Sequence, residues 1–151
     1  MNCYFDTSAL CRLYHLEPGS DVVDRLMNEP GARHCLSWLT MVETQSALAQ
    51  KVRTREITSR KFQLLRKRLK TDVVRRRLLV VRMLRRYFDE AGALLAKYGT
   101  KQRLRAADAL HLAIAMDLWR EGAIGCFVTA DALLVTLARR EGLTVVNPMS
   151  P

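Results

Sequence analysis

Short apolar segments alternate with helical segments along the whole chain, and this alternation limits the possible folds more than any other feature. Strands are predicted at 2–5, 34–39, 79–83, 125–129 and 143–147. The intervening segments, among them DVVDRLMNE and RAADALHLAIAMDLWREG, have apolar side chains at helical spacing. Parallel strands need long crossover connections, which are usually helices. The pattern therefore predicts an α/β fold, a three-layer α/β/α arrangement around a central, mainly parallel sheet.

The length of 151 residues fits one domain, 1–151, and no linker or repeat interrupts it. No apolar run approaches the roughly 20 residues of a membrane-spanning helix. Asp6 and Arg12 fall where a signal peptide would need an unbroken apolar stretch. We therefore expect a cytoplasmic protein that does not bind membranes.

Positive charge is concentrated in one segment. The chain has 25 Lys and Arg against 15 Asp and Glu, a net charge of +10. Residues 51–87 contain fifteen Lys and Arg but only Glu56 and Asp72, a local charge of +13. We expect residues 51–77 to form a basic helical arm. Lys and Arg bind phosphates with release of counterions, so this segment suggests a nucleic-acid partner; a solvated helix face or a surface for an acidic protein are the alternatives.

Several classes of site are excluded by spacing. The four cysteines and three histidines form no CxxC pair or ligand cluster, so a disulfide framework or a zinc site is not expected. The chain also lacks the glycine-rich motifs of dinucleotide and nucleoside-triphosphate binding proteins. Ser8 lacks the GxSxG setting of a serine hydrolase. A phosphatase using Asp6 as nucleophile would have a second aspartate where this chain has Ser8.

Four acidic residues lie at or near junctions between predicted strands and helices: Asp6, Glu43, Asp108 and Asp131. Parallel strands end at one edge of the sheet, where α/β proteins place their sites. Several carboxylates meeting there would raise one another's pKa, and a divalent cation would relieve the repulsion. All-oxygen ligation suits Mg²⁺ or Mn²⁺. Beside a basic segment, such a site points to phosphodiester hydrolysis.

Each acid also has a structural explanation. Asp6 and Asp131 are placed to cap the helices that follow them. Thr40 and Glu43 have the spacing of a capping box. Asp108 would lie in the first turn of its helix, where the helix dipole favours a carboxylate. Taken singly, the acids do not separate a site from helix capping.

Four regions of the chain carry distinctive segments, in this order: YFDTSAL (4–10), LTMVETQSAL (39–48), RAADALHLAIA (105–115), and VTADALL (128–134) with EGLTVVNP (141–148). These segments resemble the PIN domain, and in particular the small VapC-type ribonuclease toxins of bacterial toxin–antitoxin pairs. The resemblance implies that Asp6, Glu43, Asp108 and Asp131 form a catalytic acidic quartet. Asp6 and Asp108 would bind Mg²⁺ or Mn²⁺ directly, Asp131 would complete this metal site or a second one, and Glu43 would act through water. Ser8 and Thr129 match supporting hydroxyl positions, and Arg105 matches a basic residue that pairs with the third acid or contacts phosphate.

The implied activity is endonucleolytic cleavage of RNA by a metal-activated water. The implied partners are an RNA substrate, a VapB-type antitoxin that blocks the site, and a second copy of the chain. We expect Arg75, Arg76 and Arg77 to bind the RNA backbone without reading its sequence. The alternative is a non-catalytic RNA- or protein-binding module on an inactive PIN-like fold.

Overall fold

A five-stranded sheet forms the centre of the computed structural model, which describes residues 1–150. The strands are β1 (Cys3–Phe5), β2 (His34–Ser37), β3 (Leu78–Val81), β4 (Cys126–Val128) and β5 (Val145–Val146). Their order is β3-β2-β1-β4-β5, and every neighbouring pair is parallel. The predicted α/β fold is confirmed, and within the described residues the sheet is parallel throughout.

Helices cover both faces of the sheet. They are α1 (Thr7–Tyr14), α2 (Ser20–Met27), α3 (Trp38–Arg53), α4 (Ser59–Val74), α5 (Arg85–Leu94), α6 (Ala106–Arg120) and α7 (Ala132–Arg140), with a π-helical turn, Leu95–Gly99, after α5. Neighbouring residues of a strand point to opposite faces. Cys3 and Phe5 accordingly pack with α1–α4, and Tyr4 packs with α5–α7. None of the described helices is both long and apolar enough to cross a membrane.

The basic segment is helical, but it does not project from the domain. One face of α4 is apolar, and Leu65 and Leu69 on it are buried in the same core as α1 and α3. Asp72 is also buried, where it accepts a hydrogen bond from the Tyr14 hydroxyl at 2.9 Å and pairs with Arg77 at 3.6 Å. The positive charges therefore lie on the outer face of a helix that belongs to the body.

Very short junctions join the strands to the helices that follow. Asp6 is the only residue between β1 and α1, and α3 begins directly after Ser37, the last residue of β2. The capping box predicted for Thr40 and Glu43 is wrong. Ser37 Oγ accepts from the Thr40 amide at 3.1 Å, and Thr40 Oγ1 accepts from the Ser37 amide at 3.2 Å. The box sits three residues earlier because the helix starts at the strand end, and the Glu43 carboxylate takes no part in capping.

Candidate active site

The four predicted acids meet around one cavity at the carboxyl edge of the sheet. The cavity has a volume of about 420 Å³, and its lining includes Asp6, Glu43, Asp108 and Asp131. Asp6 and Asp131 follow β1 and β4, which are neighbours in the sheet, while α3 and α6 contribute Glu43 and Asp108. Residues separated by up to 125 positions in the chain thus form a single acidic surface.

Asp6 is a buried carboxylate at the base of this cavity. It caps α1 by accepting from the Ala9 amide at 2.9 Å, and it also accepts from Ser8 Oγ at 2.8 Å and Thr129 Oγ1 at 2.6 Å. Burial raises its pKa, even though these hydrogen bonds and the nearby His111 act in the opposite direction. Asp6 has no ion-pair partner in the described part of the chain. It is therefore both a helix cap and a buried charge that no cation balances.

Ser8 and Thr129 join the two junctions that carry Asp6 and Asp131. Ser8 Oγ donates to Asp6 and accepts from the Ala130 amide at 2.8 Å. Thr129 Oγ1 donates to Asp6 and accepts from the Asp131 amide at 3.1 Å. Asp131 Oδ1 caps α7 by accepting from the Leu134 amide at 2.9 Å. The two hydroxyls thereby fix the spacing between the two aspartates.

Asp108 and Arg105 form a pair at the rim of the cavity. Arg105 Nε donates to Asp108 Oδ2 at 2.9 Å. The Asp108 side chain is 16% exposed and the Arg105 side chain is 69% exposed. The sequence left open whether Arg105 pairs with the third acid or contacts phosphate. In the structure it pairs with this acid, Asp108. The guanidinium also borders an adjoining depression, together with Arg103 and Asp131.

Two residues that the sequence did not single out hold Glu43. Thr7 Oγ1 donates to Glu43 Oε2 at 2.5 Å, and His111 Nε2 lies 2.7 Å from the same oxygen. Partial burial alone would raise the pKa of Glu43, but the hydrogen bonds from His111 and Thr7 outweigh it and lower that pKa. One sequence signal for His111 exists, since it follows Asp108 by three positions on a helix and so lies on the same face.

Arg75, Arg76 and Arg77 lie at the opposite edge of the sheet. They directly precede β3, whose first residue, Leu78, pairs with His34 at the start of β2. Arg77 Nη2 contacts Asn28 Oδ1 at 3.4 Å. The structure does not bring these three arginines to the acidic cavity.

The donor set around the cavity fits a hard divalent cation. It consists of carboxylate oxygens, and the buried Asp6 is a charge that such an ion would balance. Within residues 1–150, no three acidic, histidine or cysteine side chains are already close enough to enclose an ion. Of the acids that line the cavity, Asp6, Asp108 and Asp131 are the candidates to hold it.

A scan against family models and a search of solved structures gave matches. The model of the PIN domain matches residues 3–138. VapC20 from Mycobacterium tuberculosis, a toxin that cleaves the sarcin–ricin loop, has a similar fold, with a TM-score of 0.68 and 17% identity over 97% of this chain and 99% of that one. VapBC-1 from nontypeable Haemophilus influenzae has a TM-score of 0.65 and 16% identity over 99% of this chain and 100% of that one. FitAcB from Neisseria gonorrhoeae has a TM-score of 0.64 and 20% identity over 99% of each chain.

A search of curated proteins gave no significant match. At these low identities the solved structures show a shared fold, whereas the family model spans most of the chain. The match includes all four cavity acids. The chain therefore belongs to the PIN domain family.

Proposed function

We propose that this protein is a VapC-type toxin, an endoribonuclease that cleaves RNA phosphodiester bonds with Mg²⁺ or Mn²⁺. The observation that carries the proposal is the convergence of four carboxylates on one cavity. PIN domains are usually nucleases and generally use divalent metal ions. A bound divalent cation lowers the pKa of a coordinated water and polarises a phosphate oxygen.

The residues of the chain divide the work at this site. Asp6, Asp108 and Asp131 would hold the metal, and Ser8 and Thr129 keep Asp6 oriented. Glu43 hydrogen-bonds to the attacking water through Oε1, which accepts no hydrogen bond from any other described residue. Arg105, whose guanidinium is largely exposed beside Asp108, neutralises the phosphate that enters the cavity.

We further propose a cytoplasmic location, a VapB-type antitoxin that covers the cavity, and assembly as a homodimer. VapBC-1 and FitAcB, whose folds are similar, support the toxin–antitoxin context.

The proposal is tested by replacing Asp108 with asparagine. We expect the wild-type protein to cleave labelled single-stranded RNA in Mg²⁺ or Mn²⁺. Asp108→Asn should lower the rate at least about 100-fold, because removing a metal ligand costs ~2.7 kcal/mol or more of transition-state stabilisation. RNA affinity should be nearly unchanged. Asp117→Asn is the matched control, since Asp117 lies on the same helix but pairs with Arg86 away from the cavity.

If the wild-type protein binds RNA but neither it nor the variant cleaves with either metal, the protein is a binding module and the nuclease proposal fails. If Asp108→Asn cleaves as fast as the wild type, the cavity is not the active site.

The outer face of the basic segment is proposed as a second RNA contact. Arg75 and Arg76 are exposed and have no ion-pair partner among the described residues, so we expect Arg75→Glu with Arg76→Glu to weaken RNA binding. Losing two phosphate contacts should reduce the slope of log affinity against log salt by about 1.4 for a single strand. The rate at saturating RNA should not change, because these side chains lie far from the cavity. Filter binding across a salt series measures the effect.

Arg139→Glu with Arg140→Glu is the matched control, an exposed pair at the end of α7 with the same change in charge. Equal loss of affinity in both double variants would mean that net charge alone matters, and the basic segment would lose its proposed role. Arg77 is left intact because it pairs with the buried Asp72.

A further inference from the structure

Glu43 has two carboxylate oxygens in very different surroundings. Oε2 accepts from Thr7 Oγ1 and lies 2.7 Å from His111 Nε2. Oε1 accepts from no side chain or amide within residues 1–150. A glutamate has three rotatable side-chain bonds and loses considerable entropy when it is fixed. The two contacts to Oε2 therefore decide which oxygen faces the cavity.

The His111 ring is itself held from behind. It is 2% exposed, and its Nδ1 lies 2.9 Å from the hydroxyl of Tyr4, which is fully buried in β1. The phenol lies 3.2 Å from Ser37 Oγ, the cap of α3. Both ring nitrogens thus have partners, and the ring plane is fixed between the sheet and the cavity.

The hydrogen bonds of this group of residues connect Glu43 to the cap of α3. The Glu43 carboxylate can only accept, so His111 Nε2 carries a hydrogen and donates it to Oε2. The Tyr4 hydroxyl donates to Ser37 Oγ, which also lies 3.0 Å from Thr40 Oγ1, and the phenol oxygen is the partner of His111 Nδ1. Burial raises the pKa of Tyr4, so its phenol keeps the proton that this arrangement requires. The polar side-chain atoms of Tyr4, Ser37 and His111 then all have partners, as buried groups require.

We propose that His111 is a positioning residue: backed by Tyr4, it holds Glu43 so that Oε1 faces the acidic cavity. The inference rests on the proposed nuclease function and assigns a role to a residue outside the acidic quartet. It also explains why a buried strand residue behind the cavity carries a phenol, since a phenylalanine would leave Nδ1 of a buried imidazole unpaired.

A purely structural role for His111 predicts a different result. Replacing a buried histidine that only fills space would lower stability. Its effect would then be the same whether residue 43 is a glutamate or a glutamine. A positioning residue acts through Glu43, so its effect on the rate must disappear when Glu43 can no longer function. A double-mutant cycle separates the two roles.

The experiment compares single-turnover RNA cleavage in the wild type, His111→Leu, His111→Gln, Glu43→Gln and the double variant. We expect His111→Leu to lower the rate about 10- to 100-fold at saturating RNA, the range found when a partner that orients a site residue is lost. His111→Gln keeps a donor near the Nε2 position and should recover most of the rate. His111→Leu should add no further loss in the Glu43→Gln background.

His34→Gln is the matched control, because His34 is also 2% exposed but contacts the Leu26 carbonyl away from the cavity. It should lower the melting temperature and leave the rate at saturating RNA unchanged. Tyr4→Phe should fall between His111→Gln and His111→Leu, since it loosens the ring without removing it.

Crystal structures of His111→Leu and His111→Gln give a readout that does not depend on cleavage. We expect the Glu43 side chain to leave the cavity in the first and to stay in the second. Glu43 in the same position in both would overturn the inference, as would additive losses in the double variant. Either result leaves the test of the nuclease proposal by Asp108→Asn unaffected, so the two failures are distinguishable.

Discussion

Replacing Asp6 with asparagine is expected to abolish RNA cleavage while raising the melting temperature of the metal-free protein. Asn caps helices as well as Asp does, so the Ala9 amide keeps its acceptor. Thr129 can accept as well as donate through its hydroxyl. What disappears is a buried negative charge with no cationic partner, and we expect a gain of ~1 kcal/mol, about 2–4 °C for a domain of this size. Cleavage should fall at least about 100-fold, because the same charge is the proposed metal ligand.

The gain in stability should depend on pH. Burial raises the pKa of Asp6 above its ordinary value of 3.8. Between that value and the raised one, the folded state binds more protons than the unfolded state, so wild-type stability falls as pH rises through this window. The asparagine side chain does not titrate, so the stability of the variant lacks this dependence on pH. The difference in melting temperature should therefore be small near about pH 4 and largest above the raised pKa, which thermal melts in the presence of a chelator can measure.

A second buried aspartate provides the matched control. Asp72 is 7% exposed, but it has the Tyr14 hydroxyl and Arg77 as partners. Asp72→Asn should lower the melting temperature and preserve cleavage, the reverse of the pattern for Asp6. Destabilisation of equal size by both changes would show that Asp6 is an ordinary structural cap.

Chelation of divalent metal ions is expected to stop cleavage, and adding Mg²⁺ or Mn²⁺ is expected to restore it. A ligand that binds only the folded state stabilises it, by about 2.7 kcal/mol at 100 times its dissociation constant. Either ion should therefore raise the wild-type melting temperature. The shift should be absent in Asp6→Asn, in which the charge that the ion balances is gone.

Asp72→Asn serves again as a control and should show the full metal-dependent shift. Cleavage that continues in a chelator would rule out a metal-dependent mechanism. An equal shift in Asp6→Asn would mean that the ion binds elsewhere on the protein.

The sheet edge and its acids could be predicted because both depend on local patterns. Apolar runs of strand length mark the strands, and parallel strands end at one edge. Residues that follow those strands within a few positions, such as Asp6 and Asp131, then lie at the same edge whatever the details of packing. Those two acids are also helix caps, so the two explanations of each acid are compatible.

The partners of Glu43 could not be predicted in the same way. His111 lies 68 positions from Glu43 and 107 positions from Tyr4, and no spacing rule connects residues so far apart. The Thr40 and Glu43 spacing also matches a capping box, but the structure forms that box from Ser37 and Thr40. Only the start of α3 at Trp38 decides which serine or threonine is the cap.

Charge composition marks the basic segment but does not indicate how that segment packs against the rest of the domain. A count of Lys and Arg reflects only the exposed face of α4. It carries no information on Leu65 and Leu69, which are buried and hold the helix against the core. The position of Arg75, Arg76 and Arg77 depends on which end of β3 they adjoin.

The short junctions after β1 and β2 have a consequence for how such a protein can diversify. An extra residue at Asp6 or Ser37 would rotate the following helix by about 100° and turn its cavity-facing side chains away. Insertions and deletions are therefore not expected in these two junctions. The segment that carries Arg103 and Arg105 is different, since it is irregular backbone between the π-helical turn and α6. Changes in loop length should accumulate there, whereas the surroundings of the two short junctions should change by substitution alone.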